Sequence, residues 1–145
     1  MIGIRRLSFL LMLFPMFAVS ANGAEKSLYA RLGGYDAIAA VSDEFIGRLA
    51  TDKDEKRFFI GFSNDSKARI RQHLIDFVCK ATGGPCVYTG RDMKTTHAGS
   101  GITKADWDHS LQVFGEVLKK LKVPEKEQKE LAGLLAPLEK DIVEK

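Results

Sequence analysis

Apolar residues recur at spacings of three and four along most of residues 27–142, and alternating apolar and polar runs do not occur. A spacing of three and four places apolar side chains on one face of an α-helix. Such helices must bury that face against other helices. Glycine pairs, at 33–34 and 83–84, allow sharp corners between them. The pattern therefore predicts an all-α fold.

Four substantial helices and two short helical turns are expected from this spacing. The long helices are predicted at about 36–50, about 66–81, from Thr103 and from Pro124. The short turns are predicted at 27–32 and 93–98. Thr103 can cap its helix through its side chain, with Asp106 in the first turn. Pro137 lies inside the last helix, where its missing N–H predicts a kink.

The beginning of the chain has the composition of a secretory signal. A positively charged start precedes an apolar run over residues 7–19, and small residues follow as far as Ala21. We expect cleavage after Ala21, so that residues 1–21 form a signal peptide and 22–145 form the globular domain. The predicted location is therefore periplasmic or secreted. The apolar run is short for a membrane span, so no stable membrane insertion is expected after cleavage; an uncleaved anchor is the alternative.

Charge and cysteine content limit the classes of function. The formal charge is +3, and Arg5 and Arg6 of the predicted signal contribute two of these charges. The remaining domain is near neutrality, so a clustered basic surface for nucleic acid is not expected. Cys79 and Cys86 are the only cysteines. They could form a disulfide in an oxidising compartment or remain two buried thiols, and their spacing is not that of a metal-binding pair.

Three histidines are the candidates for chemistry at a metal. His97 follows Met93 by one helical turn in a stretch of small residues and glycines, where a flat ligand could approach the backbone. A neutral imidazole nitrogen is a good axial ligand for haem iron, although a histidine with this spacing alone is more often a structural residue. His73 lies on an apolar helix face, where a metal, Asp76 or water could satisfy it. His109 lies on a polar face and is predicted to be solvated.

Sequence motifs of the common hydrolytic and phosphate-binding enzymes do not occur. The chain has no Gly-x-Ser-x-Gly, no phosphate-binding loop and no His-Glu-x-x-His. Its acidic residues are dispersed over predicted helix surfaces. A nucleophile–base pair is therefore not predicted.

Several segments, in order and correctly spaced, resemble group I truncated haemoglobins. The matching segments are Ser27-Leu28-Tyr29-Ala30-Arg31-Leu32-Gly33-Gly34, Phe58-Phe59, Ala81-Thr82-Gly83-Gly84-Pro85, Tyr88 through Gly99, and Gly101-Ile102-Thr103. The resemblance covers nearly all of residues 26–143. It implies a truncated globin fold, in which two pairs of antiparallel helices form a two-over-two sandwich around one haem b.

The resemblance also implies a set of site residues. His97 would be the proximal iron ligand, and Phe59 would pack on the haem face. The other residues expected to bind the cofactor are Phe45, Ile46, Ile70, Leu74, Met93, Thr96, Ile102 and Trp107.

The residues expected on the distal side of the implied haem, opposite His97, depart from the family pattern. Group I members often carry Tyr at the position of Ile46, and Gln at the positions of Ile70 or Leu74. The usual hydrogen-bond donors to a bound gas are therefore missing, which weakens dioxygen retention. His73 is the remaining polar candidate: it could bind iron as a reversible sixth ligand, or point to a haem propionate or solvent.

The function implied is reversible binding of a diatomic gas (oxygen, nitric oxide or carbon monoxide) at the iron, with oxygen transport, redox sensing or electron transfer as purposes. A haem enzyme with peroxidase-like or nitric-oxide-oxidising activity is the alternative, with His73 as its acid–base group. A helical interaction domain without haem is a third reading, which the intact segment around His97 opposes.

Overall fold

The computed structural model describes residues 25–145 of the chain, and the predicted signal peptide lies outside them. All regular structure in this part is helical, which confirms the predicted all-α fold. Within 25–145 no helix has the length and apolarity needed to cross a membrane. The α-helices are α1 (Leu28–Leu32), α2 (Gly34–Thr51), α3 (Asn64–Ala81), α4 (Met93–His97), α5 (Lys104–Lys120), α6 (Glu125–Leu135) and α7 (Glu139–Ile142), with 3-10 helices at Glu55–Phe59 and Ala136–Leu138.

Side-chain caps begin several of these helices. The Ser27 hydroxyl accepts from the N–H of Ala30, and Ser63 does the same for Ser66 at the start of α3. Thr103 and Asp106 form a reciprocal capping box at α5, as the sequence predicted for the Thr103 side chain. Gly33 ends α1 with φ 101°, a conformation that L side chains avoid, and α2 begins at the next residue. The chain therefore turns between α1 and α2 without a loop.

The two prolines near the end of the chain act slightly differently from the prediction. Pro124 precedes the first residue of α6, as its N-cap. Pro137 lies in the 3-10 helix over Ala136–Leu138, which separates α6 from α7. Because proline has no N–H to donate, the α-helical ladder ends here rather than continuing through a kink.

The hydrophobic core lies where α2 packs on α3 and α5, and where α1 packs on α2 and α6. Its fully buried side chains include Ile75 and Cys79 of α3 and Val117 of α5. The apolar spacing of α3 predicts a buried face of Ile70, Leu74, Phe77, Val78 and Ala81, and of these Val78 is buried in this core. Ile70, Leu74 and Phe77 of that face are only half-buried, because they border a cavity.

A disulfide joins Cys79, near the end of α3, to Cys86 in the following loop. The loop must double back closely on the helix to make this bond. A Cβ atom at Gly84 would lie 2.6 Å from the Cys79 sulfur and 2.8 Å from its carbonyl oxygen, so only glycine is accommodated there. The disulfide fixes the start of the segment that leads to Tyr88 and α4.

Candidate functional site

The helices enclose an apolar cavity of about 740 Å³, a size typical of sites for small molecules and cofactors. Its walls come from α2, the first 3-10 helix, α3, α4 and α5, with further residues near the end of the chain. The residues that the resemblance implied for the haem site, and His73, all line this one space: Phe45, Ile46, Phe59, Ile70, His73, Leu74, Met93, Thr96, His97, Ile102 and Trp107. Side chains separated by as many as 62 positions thus meet at a single site.

His97 stands at the end of α4 with its imidazole half-buried at the cavity wall. Its Nδ1 lies 2.8 Å from the carbonyl oxygen of Met93, one turn earlier. A carbonyl can only accept, so Nδ1 carries the proton in this contact, and Nε2 of the neutral ring keeps a free lone pair. A hydrogen bond of this kind orients imidazoles that ligate metals and raises their basicity. The local helix therefore prepares His97 to act as a ligand.

The glycine-rich turn after His97 is held by the end of the chain. The two carboxylate oxygens of Glu144 accept hydrogen bonds from the N–H groups of Gly99 (2.6 Å) and Gly101 (2.5 Å). The backbone N–H of Glu144 donates to the carbonyl of Ile102 at 2.8 Å. These bonds, the one from Gly99 first, lower the pKa of the Glu144 carboxyl below its usual value. Glu144 thus fixes the turn that positions α4.

With haem in the cavity, as the resemblance implies, changing Glu144 to glutamine is expected to speed haem loss several-fold, and up to about tenfold, because the amide has one acceptor oxygen and its NH2 group would face the second N–H donor. The measurement is transfer of haem from the protein to an excess of a haem-scavenging apoprotein. Lys145→Ala, at the adjacent residue, is the control and should keep the original rate. Equal rates of haem loss for all three proteins would show that the Glu144 hydrogen bonds do not affect the hold of His97 on haem.

His73 faces the same cavity from α3. Its ring packs edge-on against Tyr88, with centroids 6.0 Å apart, and Tyr88 packs in the same way on Phe77 at 5.5 Å. The Tyr88 hydroxyl donates to the Arg91 carbonyl at 2.6 Å. Asp76, the acid considered for His73, instead accepts from Gln72 at 3.0 Å. The His73 position is therefore set by aromatic packing.

Two carboxyl groups also border the cavity. Asp106 accepts hydrogen bonds from the Thr103 N–H and hydroxyl and from Arg57, and these outweigh burial and lower its pKa. Glu55 is only 4 % exposed, and its Oε1 has no hydrogen-bond partner among residues 25–145. Burial, and then the charge of Asp106, raise the pKa of Glu55. Two neighbouring acids are thereby driven toward opposite protonation states.

His109 differs from its predicted solvated state. Its Nε2 lies 3.0 Å from the Asp52 carboxylate, at the end of α2, and its side chain is half-buried. The N–H of Asp54, and then His109, lower the pKa of Asp52 to about 2. Asp52 in turn raises the pKa of His109. The partner is 57 positions away, so spacing along one helix could not reveal it.

An NMR titration of His109 is expected to give a pKa above that of an ordinary histidine, and Asp52→Asn is expected to lower it toward that value. Because the folded-state pKa is raised, the pair stabilises the fold fully below the unfolded-state pKa. That contribution disappears as the pH rises through the folded-state pKa. Asp108→Asn, at an exposed neighbour in α5, is the control. A His109 titration unaffected by Asp52→Asn would contradict the ion pair.

The chemistry of the cavity fits haem. Its lining is largely aliphatic and aromatic, as a flat macrocycle requires, and it includes one imidazole whose Nε2 is left free by its backbone contact. Thiolates, which would ligate iron differently, are excluded because both cysteines form the disulfide. His97, Phe59 and Met93 are therefore among the residues that would hold the haem.

Sequence reasoning missed three residues that shape the site: Glu55, Tyr88 and Glu144. Glu55 stands in a charged run, which normally lies on the surface. Tyr88 belongs to a segment that carries the family resemblance, and its aromatic ring between two turns is the signal that could have indicated its role in the site. Glu144 acts across 45 positions on Gly99, and no local pattern indicates that contact.

Comparison with known proteins gives consistent matches over the described part of the chain. The sequence profile of the family described as bacterial-like globin matches residues 27–144. The chain is 33 % identical over 116 residues to the group 1 truncated hemoglobin GlbN of Mycolicibacterium paratuberculosis, covering 80 % of this chain and 83 % of that protein. It is 36 % identical over 90 residues to the protein of that name from Nostoc commune, covering 62 % and 74 %.

Solved structures agree with the sequence matches. Truncated hemoglobin from Tetrahymena pyriformis in its Fe(III) form superposes with a TM-score of 0.74 at 27 % identity, covering 83 % of this chain and all of that one. The 2/2 hemoglobin from Synechococcus, solved in the cyanomet state with covalently attached heme, gives 0.74 at 27 % identity, covering 81 % and 98 %. These matches confirm the predicted truncated globin fold. The chain belongs to the bacterial-like globin family.

Proposed function

We propose that this globin holds haem b in the apolar cavity with His97 as the proximal iron ligand, and that it binds a diatomic gas there reversibly. Globins of this family carry haem, so haem binding follows from membership. The observation that supports the role of His97 is its Nδ1 contact with Met93, which leaves Nε2 free beside the cavity. When bound, the haem iron supplies the site at which the gas binds.

The residues of the chain do three things in this function. His97 supplies the ligand nitrogen, held in one tautomer by Met93. Glu144 keeps the following turn in place. Aliphatic side chains from α2 and α3, among them Ile46 and Leu74, keep water away from the cavity.

The same aliphatic side chains limit how tightly oxygen is held. Ile46, Ile70 and Leu74 border the cavity and offer no hydrogen-bond donor. A hydrogen bond to a charged or strongly polarised partner contributes roughly 1.5–3 kcal/mol. Without one from these positions, we propose weak oxygen retention, which favours redox sensing or electron transfer over oxygen storage.

We also propose that His73 binds the iron reversibly as a sixth ligand. This proposal is supported by the position of His73 at the cavity wall, where its imidazole makes no hydrogen bond to any residue of 25–145. A ferric visible spectrum at neutral pH tests it, because two histidine ligands give a low-spin spectrum and water in place of one gives a high-spin spectrum. We expect a low-spin spectrum that becomes high-spin in His73→Ala. A high-spin spectrum unchanged by His73→Ala would overturn the proposal.

Haem binding itself is tested by expressing residues 22–145 with ample haem. A Soret band in the purified protein, and a ferrous spectrum that changes reversibly with carbon monoxide, are the expected results. Absence of any haem uptake would contradict the proposed function.

We further propose that residues 1–21 direct export of a globin domain that comprises residues 22–145. The Cys79–Cys86 disulfide supports this, because disulfides persist in oxidising compartments outside the cytosol. Fractionation of cells that express the full chain tests it: the mature protein should start at Asn22 and appear in the periplasm or medium. Recovery of the full chain in the cytosol would overturn it.

A further inference from the structure

Glu55 is a buried acid at the cavity wall that the proposed function does not use. It belongs to the 3-10 helix Glu55–Phe59, whose tight turn places its side chain inward while Lys56 and Arg57 remain exposed. The carboxyl group is 4 % exposed, and its Oε1 has no hydrogen-bond partner among the described residues. A charged carboxylate left unpaired in such a place is strongly disfavoured.

The groups around Glu55 come from three elements. The charges that act on the Glu55 carboxyl are those of Asp106 and His109 of α5, Asp52 at the end of α2, and Arg57 of its own 3-10 helix. Each of the potential counter-charges is already engaged: Arg57 donates to Asp106, and His109 pairs with Asp52. Burial and the Asp106 charge therefore dominate, and both favour the protonated form of Glu55.

We propose that Glu55 is a proton-binding site of the haem cavity that takes up a proton when the iron is reduced. This inference rests on the proposed function, because it requires iron in the cavity. The positive charge on ferric iron attracts the Glu55 carboxylate and stabilises its ionised form. Reduction lowers this charge by one unit, so the carboxyl binds a proton more readily. The balanced change is one electron, from an electrode, to ferric iron and one proton, from solvent, to the Glu55 carboxylate.

The size of the cavity makes the coupling strong enough to measure. A cube with the volume of the cavity, about 740 Å³, would have an edge of about 9 Å, so a charge at its centre would lie on the order of 10 Å or less from a carboxyl on its wall. At that distance and an effective dielectric constant of about 20, one unit charge shifts a pKa by roughly one unit. By linkage, protonation of Glu55 must then raise the reduction potential by the same coupling free energy.

The test is the midpoint potential of the haem-loaded protein, followed by its visible spectrum in an electrochemical cell from about pH 5 to about pH 9. Glu55 has one pKa with ferric iron in the cavity and a higher pKa with ferrous iron. In the original protein we expect the midpoint potential to fall as the pH rises through the interval between these two pKa values. Glu55→Gln, which stays neutral, should lose this step and keep the high potential of the acidic limit. Glu125→Gln, at an exposed glutamate that begins α6, should retain it.

Two further measurements keep the test decisive if Glu55→Gln does not fold. Glu55→Leu replaces the unpaired polar group by an apolar one in an apolar wall, and should lose the step in the same way. In the unaltered protein, the infrared difference spectrum between oxidised and reduced states should show the C=O band of a protonated carboxylic acid gained on reduction.

A potential with the same pH dependence in the Glu55 variants, or an infrared spectrum with no gain of protonated acid, would overturn the inference while haem binding stands. Protein that takes up no haem and shows no Soret band would instead overturn the proposed function, and this inference with it. The two failures are therefore distinguishable.

Discussion

Replacing His97 by alanine is expected to abolish stable haem retention. The substitution removes both the free Nε2 and the Nδ1 bond to Met93 that orients it. Loss of an outer partner of a metal ligand typically weakens binding by 10–100-fold, so loss of the ligand itself should speed haem dissociation by more than about 100-fold. The Soret absorbance per protein and the rate of haem transfer to a scavenger measure the effect.

A matched histidine variant separates this effect from general damage to the fold. His109→Ala removes an imidazole that pairs with Asp52 and does not line the cavity, so its haem retention should stay close to the original. His97→Gly leaves space for a free imidazole, which should restore the Soret band when added to the solution. An unchanged haem dissociation rate in His97→Ala would exclude His97 as the proximal ligand.

The helices and the apolar wall residues could be predicted because both depend on local pattern. Apolar spacing located α2, α3 and α5, and the segment around His97 was specific enough to imply a ligand. Spacing could not tell a side chain that packs in the core from one that borders a cavity, since both are apolar. On α3 it therefore selected Val78, which is buried in the core, together with Leu74 and Phe77, which border the cavity, and it missed Ile75 in the core.

The polar part of the site could not be predicted, because it depends on contacts between distant segments. Glu55 is buried only because a 3-10 turn directs it inward from a charged run. Glu144 and the turn after His97 meet only once α7 has packed near α4. His109 was assigned to solvent for the same reason. Such pairs become visible only when the helices are assembled.

Breaking the Cys79–Cys86 disulfide is expected to lower the free energy of unfolding by about 2–3 kcal/mol. The cysteines are seven positions apart, and the loop-entropy relation gives that magnitude for so short a loop. For a domain of this size the melting temperature should fall on the order of 10 °C. Thermal unfolding followed by circular dichroism, with and without a thiol reductant and at equal haem saturation, measures the loss.

Haem retention should respond much less than stability to the loss of this disulfide. The Met93 and Glu144 contacts that orient His97 lie outside the loop closed by Cys79 and Cys86, so the folded protein should keep its Soret spectrum at low temperature. The double variant Cys79→Ala/Cys86→Ala should have the same stability as the reduced protein, apart from the effect of the lost sulfur atoms. Its melting temperature should not change when the thiol reductant is added. Val87→Ala, at an exposed residue of the same segment, should melt like the original. An unchanged melting temperature on complete reduction would show that the native contacts around Cys79 hold this segment without the covalent bond.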